Sequence, residues 1–257
     1  MSSPSIALPP VPERFLKALR HAVDLVFTLT TPDAVLVCGS IVNAGSGGPA
    51  PDPNSDFDIQ VVHNDSWRQR VQRRIDGIPC EVFINPAEQV RRYFSKESGS
   101  GRPRTAHMFA HGDIVFDPLG RGELLAEEAR QLLVAGWRLT EHELTLRRYR
   151  AVTLLDDARD VAQRDPVTAE LLLSQALNAI VEYAFAARGR FLPQPKERTA
   201  ALAQLDRPSA SMLNDCYQGW DLAARVRGAE RFADRVLGAR TFFEWLGARE
   251  PAASSGL

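Results

Sequence analysis

Gly39-Ser40 is followed, after fifteen residues, by Asp56-Phe57-Asp58. An apolar run, Ala34-Val35-Leu36-Val37-Cys38, leads into the Gly-Ser step, and a second run, Asp56 to Val62, carries the two carboxylates. In an extended strand, side chains at i and i+2 point to one face. Asp56 and Asp58 are therefore expected side by side, with Phe57, Ile59 and Val61 turned the other way into a core. Like charges held that close repel unless a cation lies between them. Where phosphates are handled, that cation is typically Mg²⁺, a hard ion that takes oxygen ligands and keeps phosphate oxygens among them. The plainer reading is two solvated Asp on an edge strand, with Gly-Ser as an ordinary turn. A third element weighs against it. Ile78-Pro79-Cys80-Glu81-Val82-Phe83-Ile84 is another apolar run with a single carboxylate. A Glu among Ile, Cys, Val and Phe is seldom there for packing. If this strand lies beside the Asp56 strand, the three carboxylates converge.

The elements around these residues follow from periodicity. Glu13 to Leu29 places Phe15, Leu16, Leu19, Val23, Val26 and Phe27 at helical spacing. Ser66 to Ile75 reads as a short helix whose four arginines form a basic face, either solvated or in contact with substrate or phosphate. A helix is expected from Pro86 to about Phe94. Ser95 to Arg104 reads as a polar, Gly-rich surface loop. Asp113 to Phe116 is a final strand, and a helix runs from Gly120-Arg121-Gly122 through Val134. From Thr140 onward the pattern is helical throughout, with helices expected near 140–164, 166–188, 196–205, 208–226 and 229–246. The fold class expected is α+β: a mixed-sheet domain over 12–136, then an all-α helical bundle over 137–248. Residues 1–11 and 249–257 are expected to be disordered.

Gly-Ser, a loop, Asp-x-Asp on a strand and an acidic residue on a later strand resemble the nucleotidyltransferase domain of the DNA polymerase β superfamily. The matching residues are Gly39, Ser40, Asp56, Asp58 and Glu81, with Ser55 and Ile59 flanking the pair as the family pattern has them. The resemblance covers roughly residues 11 to 120, and His107 to Asp117 looks like the last strand of such domains. Among the branches it looks most like the bacterial aminoglycoside nucleotidyltransferases, which also carry a helical C-terminal domain and a Glu as third acid. The loop from Ala44 to Asn54 departs from the pattern, being longer and richer in Gly and Pro.

The resemblance implies transfer of a nucleoside monophosphate, AMP from ATP in the first instance, to the hydroxyl of a small-molecule acceptor. It implies that Gly39 and Ser40 lie against the triphosphate and that Asp56 and Asp58 ligate Mg²⁺. Glu81 would act as general base, as ligand of a second Mg²⁺, or both. Lys196, after the break at Arg188–Pro195, would reach the nucleotide from the bundle's edge; otherwise it is a solvated helix start. Asp156, Asp157, Asp160, Glu182, Tyr183, Asp215 and Trp220 would suit a cationic acceptor, against the plainer reading of solvated charges and core aromatics.

Composition narrows the classes. A net charge of −1 argues against a nucleic-acid coat or a polybasic membrane binder. Cys38, Cys80 and Cys216 show no zinc-ligand spacing and read as buried free thiols of a reducing, cytoplasmic compartment. The Ser/Pro-rich start is not expected to be a secretion signal. No stretch approaches the length of a membrane span. His63 and His142 read as surface residues. His107 and His111 would share a helix face, with no third ligand nearby.

Two other functions compete. One is a nucleotidyltransferase of the toxin–antitoxin kind, acting on protein or tRNA. The associated ribonuclease pattern, Arg then four to six residues then His, is not met by Arg138 and His142, which are separated by three. The other is an inactive nucleotide-binding or interaction protein, which the intact acidic set argues against.

Overall fold

The computed structural model describes residues 6–45, 54–247 and 249. The chain divides into two compact units, Met1–Ala135 and Gly136–Leu257. The first is built in the order α1 (Glu13–Leu29), β1 (Ala34–Cys38), α2 (Ser40–Gly45), β2 (Phe57–His63), β3 (Gln69–Ile75), β4 (Ile78–Pro86), α3 (Ala87–Gly99), α4 (Arg104–His111), β5 (Asp113–Phe116) and α5 (Arg121–Ala135). Its five-stranded sheet runs β3-β4-β2-β1-β5. Strands β2 and β4 are parallel and the other pairs antiparallel. The sheet is mixed, as expected.

Both faces of the sheet are covered, which is why β1 is apolar at every position. Val35 and Val37 join Phe57, Ile59, Val61, Val82 and Ile84 against Phe15, Leu19 and Val23 of α1. On the other face, Ala34, Leu36, Cys38 and Val62 pack with Val90, Phe94, Ala106, Phe109 and Leu125 from α3, α4 and α5. Phe57, Ile59 and Val61 thus face the core as the alternation requires.

Several elements differ from expectation. Residues 69–75 are a strand, not a helix. The cause is the turn that follows: Asp76 (φ 49°) and Gly77 (φ 83°) both have positive φ, the geometry that returns a chain antiparallel in a two-residue hairpin. The polar segment after Phe94 is largely helical, since α3 continues to Gly99. Of the stretch from His107 to Asp117, only Asp113–Phe116 is strand. Residues 104–111 form α4, whose end is fixed where Gly112 lies so close to Cys38 that a Cβ would come within 2.6 Å of its Sγ. His63 is buried, its Nε2 within 2.9 Å of the Trp67 carbonyl and its ring 4.3 Å from the indole.

Residues 6–11, expected to be disordered, pack on the first core through Ile6, Leu8 and Val11. The N–H of Ala7 donates to the Val115 carbonyl at 3.2 Å. Apart from its ends, the Gly/Pro-rich loop lies outside the described residues, as does the expected tail apart from Arg249.

The second unit is helical: α6 (Glu141–Val161), α7 (Pro166–Ala186), a 3₁₀ turn at Pro195–Glu197, α8 (Arg198–Leu205), α9 (Arg207–Gln218) and α10 (Leu222–Leu237). Thr140 and Glu143 form a reciprocal capping box at the start of α6. Asp165, Asp206 and Asp221 cap α7, α9 and α10 by accepting backbone N–H groups. The last two helices are shorter than expected. The Asp221 cap starts α10, and Gly238, at φ 67°, ends it. Among the described residues, no helix is long and apolar enough to cross a membrane.

Candidate functional site

The site is assembled at the C-terminal end of β1. Cys38 pairs with Asp58, and Asp58 pairs with Glu81 on the parallel neighbour. Gln72 pairs with Glu81 in turn. Gln72, Glu81, Asp58 and Cys38 therefore form one row across four strands, and register partners leave a sheet on the same face. Strands lie about 5 Å apart, which brings the Asp58 and Glu81 backbones to that spacing. Asp56 sits just ahead of β2 and is half-buried.

Gly39 makes the turn that seats the Gly-Ser step on this row. Its φ is +103°, and a Cβ there would stand 3.3 Å from the Asp56 carbonyl oxygen and 3.8 Å from Asp58 Oδ2. A larger residue would be strained and would crowd the acidic pair. Ser40 Oγ donates to Ser55 Oγ at 2.9 Å, tying the start of α2 to the residue before Asp56. The two motifs, fifteen residues apart in sequence, are one piece of structure.

Charge is concentrated here. Burial, and then the fields of Asp58, Asp56 and Glu81, push the Cys80 thiol up to about 12. Burial, Asp58 and Asp113 raise the Cys38 thiol too. Asp113, another carboxylate near Cys38, was not anticipated. It opens β5 opposite Val37, its Oδ2 is buried with no hydrogen-bond partner among the described residues, and burial holds its carboxyl above the usual carboxylate range. The available signal was a carboxylate starting an otherwise apolar strand.

Glu81 is held from the β3 side. Arg70 Nη2 donates to its Oε2 at 2.6 Å, and Gln72 Nε2 donates to its Oε1. Among the described residues no three His, Cys, Asp or Glu side chains form a metal cluster. The rings of His107 and His111 stack at 5.8 Å on α4. For Mg²⁺ the carboxylates fit in kind, being hard oxygen donors, while the Cys38 thiol of the same row donates to the Met108 carbonyl. Glu81 would have to leave Arg70 and Gln72 to join Asp56 and Asp58.

The remaining candidates lie in the helical unit. Lys196 is exposed on the 3₁₀ turn. Asp156 is paired with Arg159, which also reaches Glu230 at 3.1 Å. Tyr183 packs on the helical core, and Trp220 is 87% exposed. Glu182 lines a cavity of about 230 Å³ together with Arg147 and Arg150, a mixed lining rather than an acidic one.

No family model matches the sequence, and no curated protein matches it. Among solved structures, the chain is similar to a nucleotidyltransferase-like protein from Exiguobacterium sibiricum. The likeness covers 86% of this chain and 73% of that one, with a TM-score of 0.51 and 14% identity. At that identity it shows a shared fold: this chain has the nucleotidyltransferase-like fold.

Proposed function

We propose that the protein is a Mg²⁺-dependent nucleotidyltransferase that moves a nucleoside monophosphate from an NTP, ATP in the first instance, to the hydroxyl of a small molecule. One observation carries this reading. Gly39, at φ +103°, lies against Asp56 and Asp58, so a backbone that favours glycine and suits close phosphate approach borders a pair of carboxylates of the metal-ligating type. The fold and the resemblance to the aminoglycoside-type branch support a nucleotide donor and a small acceptor.

In the transfer, the acceptor oxygen bonds to the α-phosphorus. The bond from that phosphorus to the bridging oxygen breaks, and pyrophosphate leaves. Asp56 and Asp58 would hold Mg²⁺, with a second ion shared with Glu81. Bound Mg²⁺ would offset charge on the phosphates. Glu81, facing the same side of the sheet as Asp58, would take the hydroxyl proton. Gly39 and Ser40 would border the triphosphate. Lys196 is kept as a nucleotide contact on the strength of the resemblance.

The test is transfer of label from α-labelled ATP, GTP, CTP and UTP to small hydroxyl compounds, tRNA and total protein, with Mg²⁺ and with chelator. Asp58→Asn should lose transfer by about a hundredfold or more while keeping its fold. A folded Asp58→Asn variant with normal turnover would overturn the metal assignment. Label on tRNA or protein alone would overturn the small acceptor.

A further inference from the structure

Beside the carboxylate row the same face of the sheet opens into a cavity of about 470 Å³ between the β3–β4 edge and helices α3 and α4. Phe83 lines it from two positions beyond Glu81 on β4, so it shares the Glu81 face and lies roughly 7 Å along the strand. Arg70 is the register partner of Phe83, and its guanidinium lies 5.1 Å from that ring's centre. Arg68 also lines the cavity, with Nη1 donating to the Tyr93 hydroxyl at 2.6 Å.

The guanidinium groups decide what fits. The lining carries those of Arg68 and Arg70 and the carboxylate of Glu97, and Arg70 is also paired with Glu81 beside the cavity. Glu97 already accepts from the Thr105 backbone N–H at 2.7 Å and from its hydroxyl at 2.8 Å. A polycation would meet the like charge of Arg68, whose guanidinium is held by the neutral Tyr93 hydroxyl. A planar or tetrahedral oxyanion matches the donor fork of a guanidinium. Phe83 and Tyr93 offer apolar surface to the rest of such a molecule.

We propose that this cavity is the acceptor subsite and that the acceptor is a small hydroxyl compound bearing a carboxylate or phosphate, held by Arg68 and Arg70 over Phe83 and Tyr93. The word acceptor rests on the transferase reading above; the oxyanion subsite stands on the cavity alone. Arg70 belongs to both places, because it also binds Glu81. An oxyanion in the cavity competes with Glu81 for that guanidinium and loosens the carboxylate when the acceptor is seated.

The test is calorimetric binding to the full chain, with phenyl phosphate, benzoate and a polycationic aminoglycoside as probes, and circular dichroism to confirm folding. Arg68 and Arg70 are exposed, so neither variant removes core packing. Phenyl phosphate or benzoate should bind saturably, and Arg70→Gln and Arg68→Gln should each weaken it by about tenfold or more. The tighter of the two identifies phosphate or carboxylate as the preferred group. Asp58→Asn should bind the probe as the wild type does, and a non-hydrolysable ATP analogue with Mg²⁺ should not displace it. Absence of binding by both anions overturns the proposal, as does binding that neither arginine variant weakens or tighter binding of the polycation. Displacement by the analogue would assign the arginines to the nucleotide and overturn the acceptor assignment. Saturable anion binding in a protein that transfers nothing would leave the oxyanion subsite standing and overturn the transferase reading instead.

Discussion

Asp58 and Glu81 are register partners on adjacent parallel strands, so their carboxylates leave the sheet on one face, while on that same face Arg70 and Gln72 hold Glu81 from β3, the strand beyond β4. The two acids therefore start from different states: Glu81 has both oxygens engaged from β3, and Asp58 borders Gly39. If Glu81 serves as base, Glu81→Gln should lower single-turnover transfer by about a hundredfold or more and leave nucleotide binding nearly unchanged. Calorimetry with a non-hydrolysable analogue in Mg²⁺ separates the roles. Weakened binding makes Glu81 a metal ligand, and normal binding with normal turnover removes it from the site.

Gly39 and Gly77 both have positive φ, but their surroundings differ. Among the described residues a Cβ at Gly77 meets nothing within 4 Å, whereas one at Gly39 meets the Asp56 carbonyl at 3.3 Å. Both Ala variants should lose about 1–2 kcal/mol of stability from backbone strain. Only Gly39→Ala should also lose Mg²⁺-nucleotide affinity. Denaturant melts read the first effect and calorimetry the second; equal affinity in both variants would detach Gly39 from the site.

Asp206 joins three elements of the helical unit. It caps α9, accepts from Arg188 at 3.0 Å near the end of α7, and accepts from Arg235 of α10 at 3.0 Å. Burial alone would raise its pKa, but the bonds from Arg235 and Ser209 outweigh that and hold it below the ordinary 3.8. A depressed carboxylate contributes stability that is fully present above its unfolded pKa and is lost as pH falls through its folded one. Asp206→Asn should therefore cost roughly 1–3 kcal/mol at neutral pH. The gap from wild type should shrink below about pH 4. Urea melts between about pH 7 and 3 check the sign, and a gap that widens in acid would refute it.

All three cysteines are buried and unpaired. Burial and neighbouring carboxylates push Cys80 up to about 12, and burial pushes Cys216 up to about 11. Native protein at about pH 8.5 should leave all three unalkylated by iodoacetamide, because the thiolate is the reacting form. Denaturant should make all three reactive, as mass spectrometry would show.

The acidic pair and the Gly-Ser turn could be read from sequence because each is local: a period of two places the carboxylates, and a glycine after an apolar run marks the turn. The pairing of β2 with β4 was only conditional, since strand order is a long-range property. The β3 strand was misread because Val71 and Ile75, the apolar residues it turns inward, are four apart and satisfy a helical period as well as a strand one. Asp76-Gly77 was the decisive signal. It moved Arg68 and Arg70 from a helix surface to the wall of a cavity. Ile6, Leu8 and Val11 were obscured by the Ser and Pro around them, and His63 by its residue type.

The position of β3 has a further consequence. Among the described residues it is the last strand on its side of the sheet and pairs with β4 alone. An unpaired strand flank invites a second chain to add on, and long charged side chains discourage it by repulsion and bulk. Arg70, Arg73 and Arg74 supply those charges here. The arginine proposed to meet an anionic ligand thus also places a charge on that flank, and replacing Arg70, Arg73 and Arg74 together with small apolar residues should make the chain more prone to associate through it.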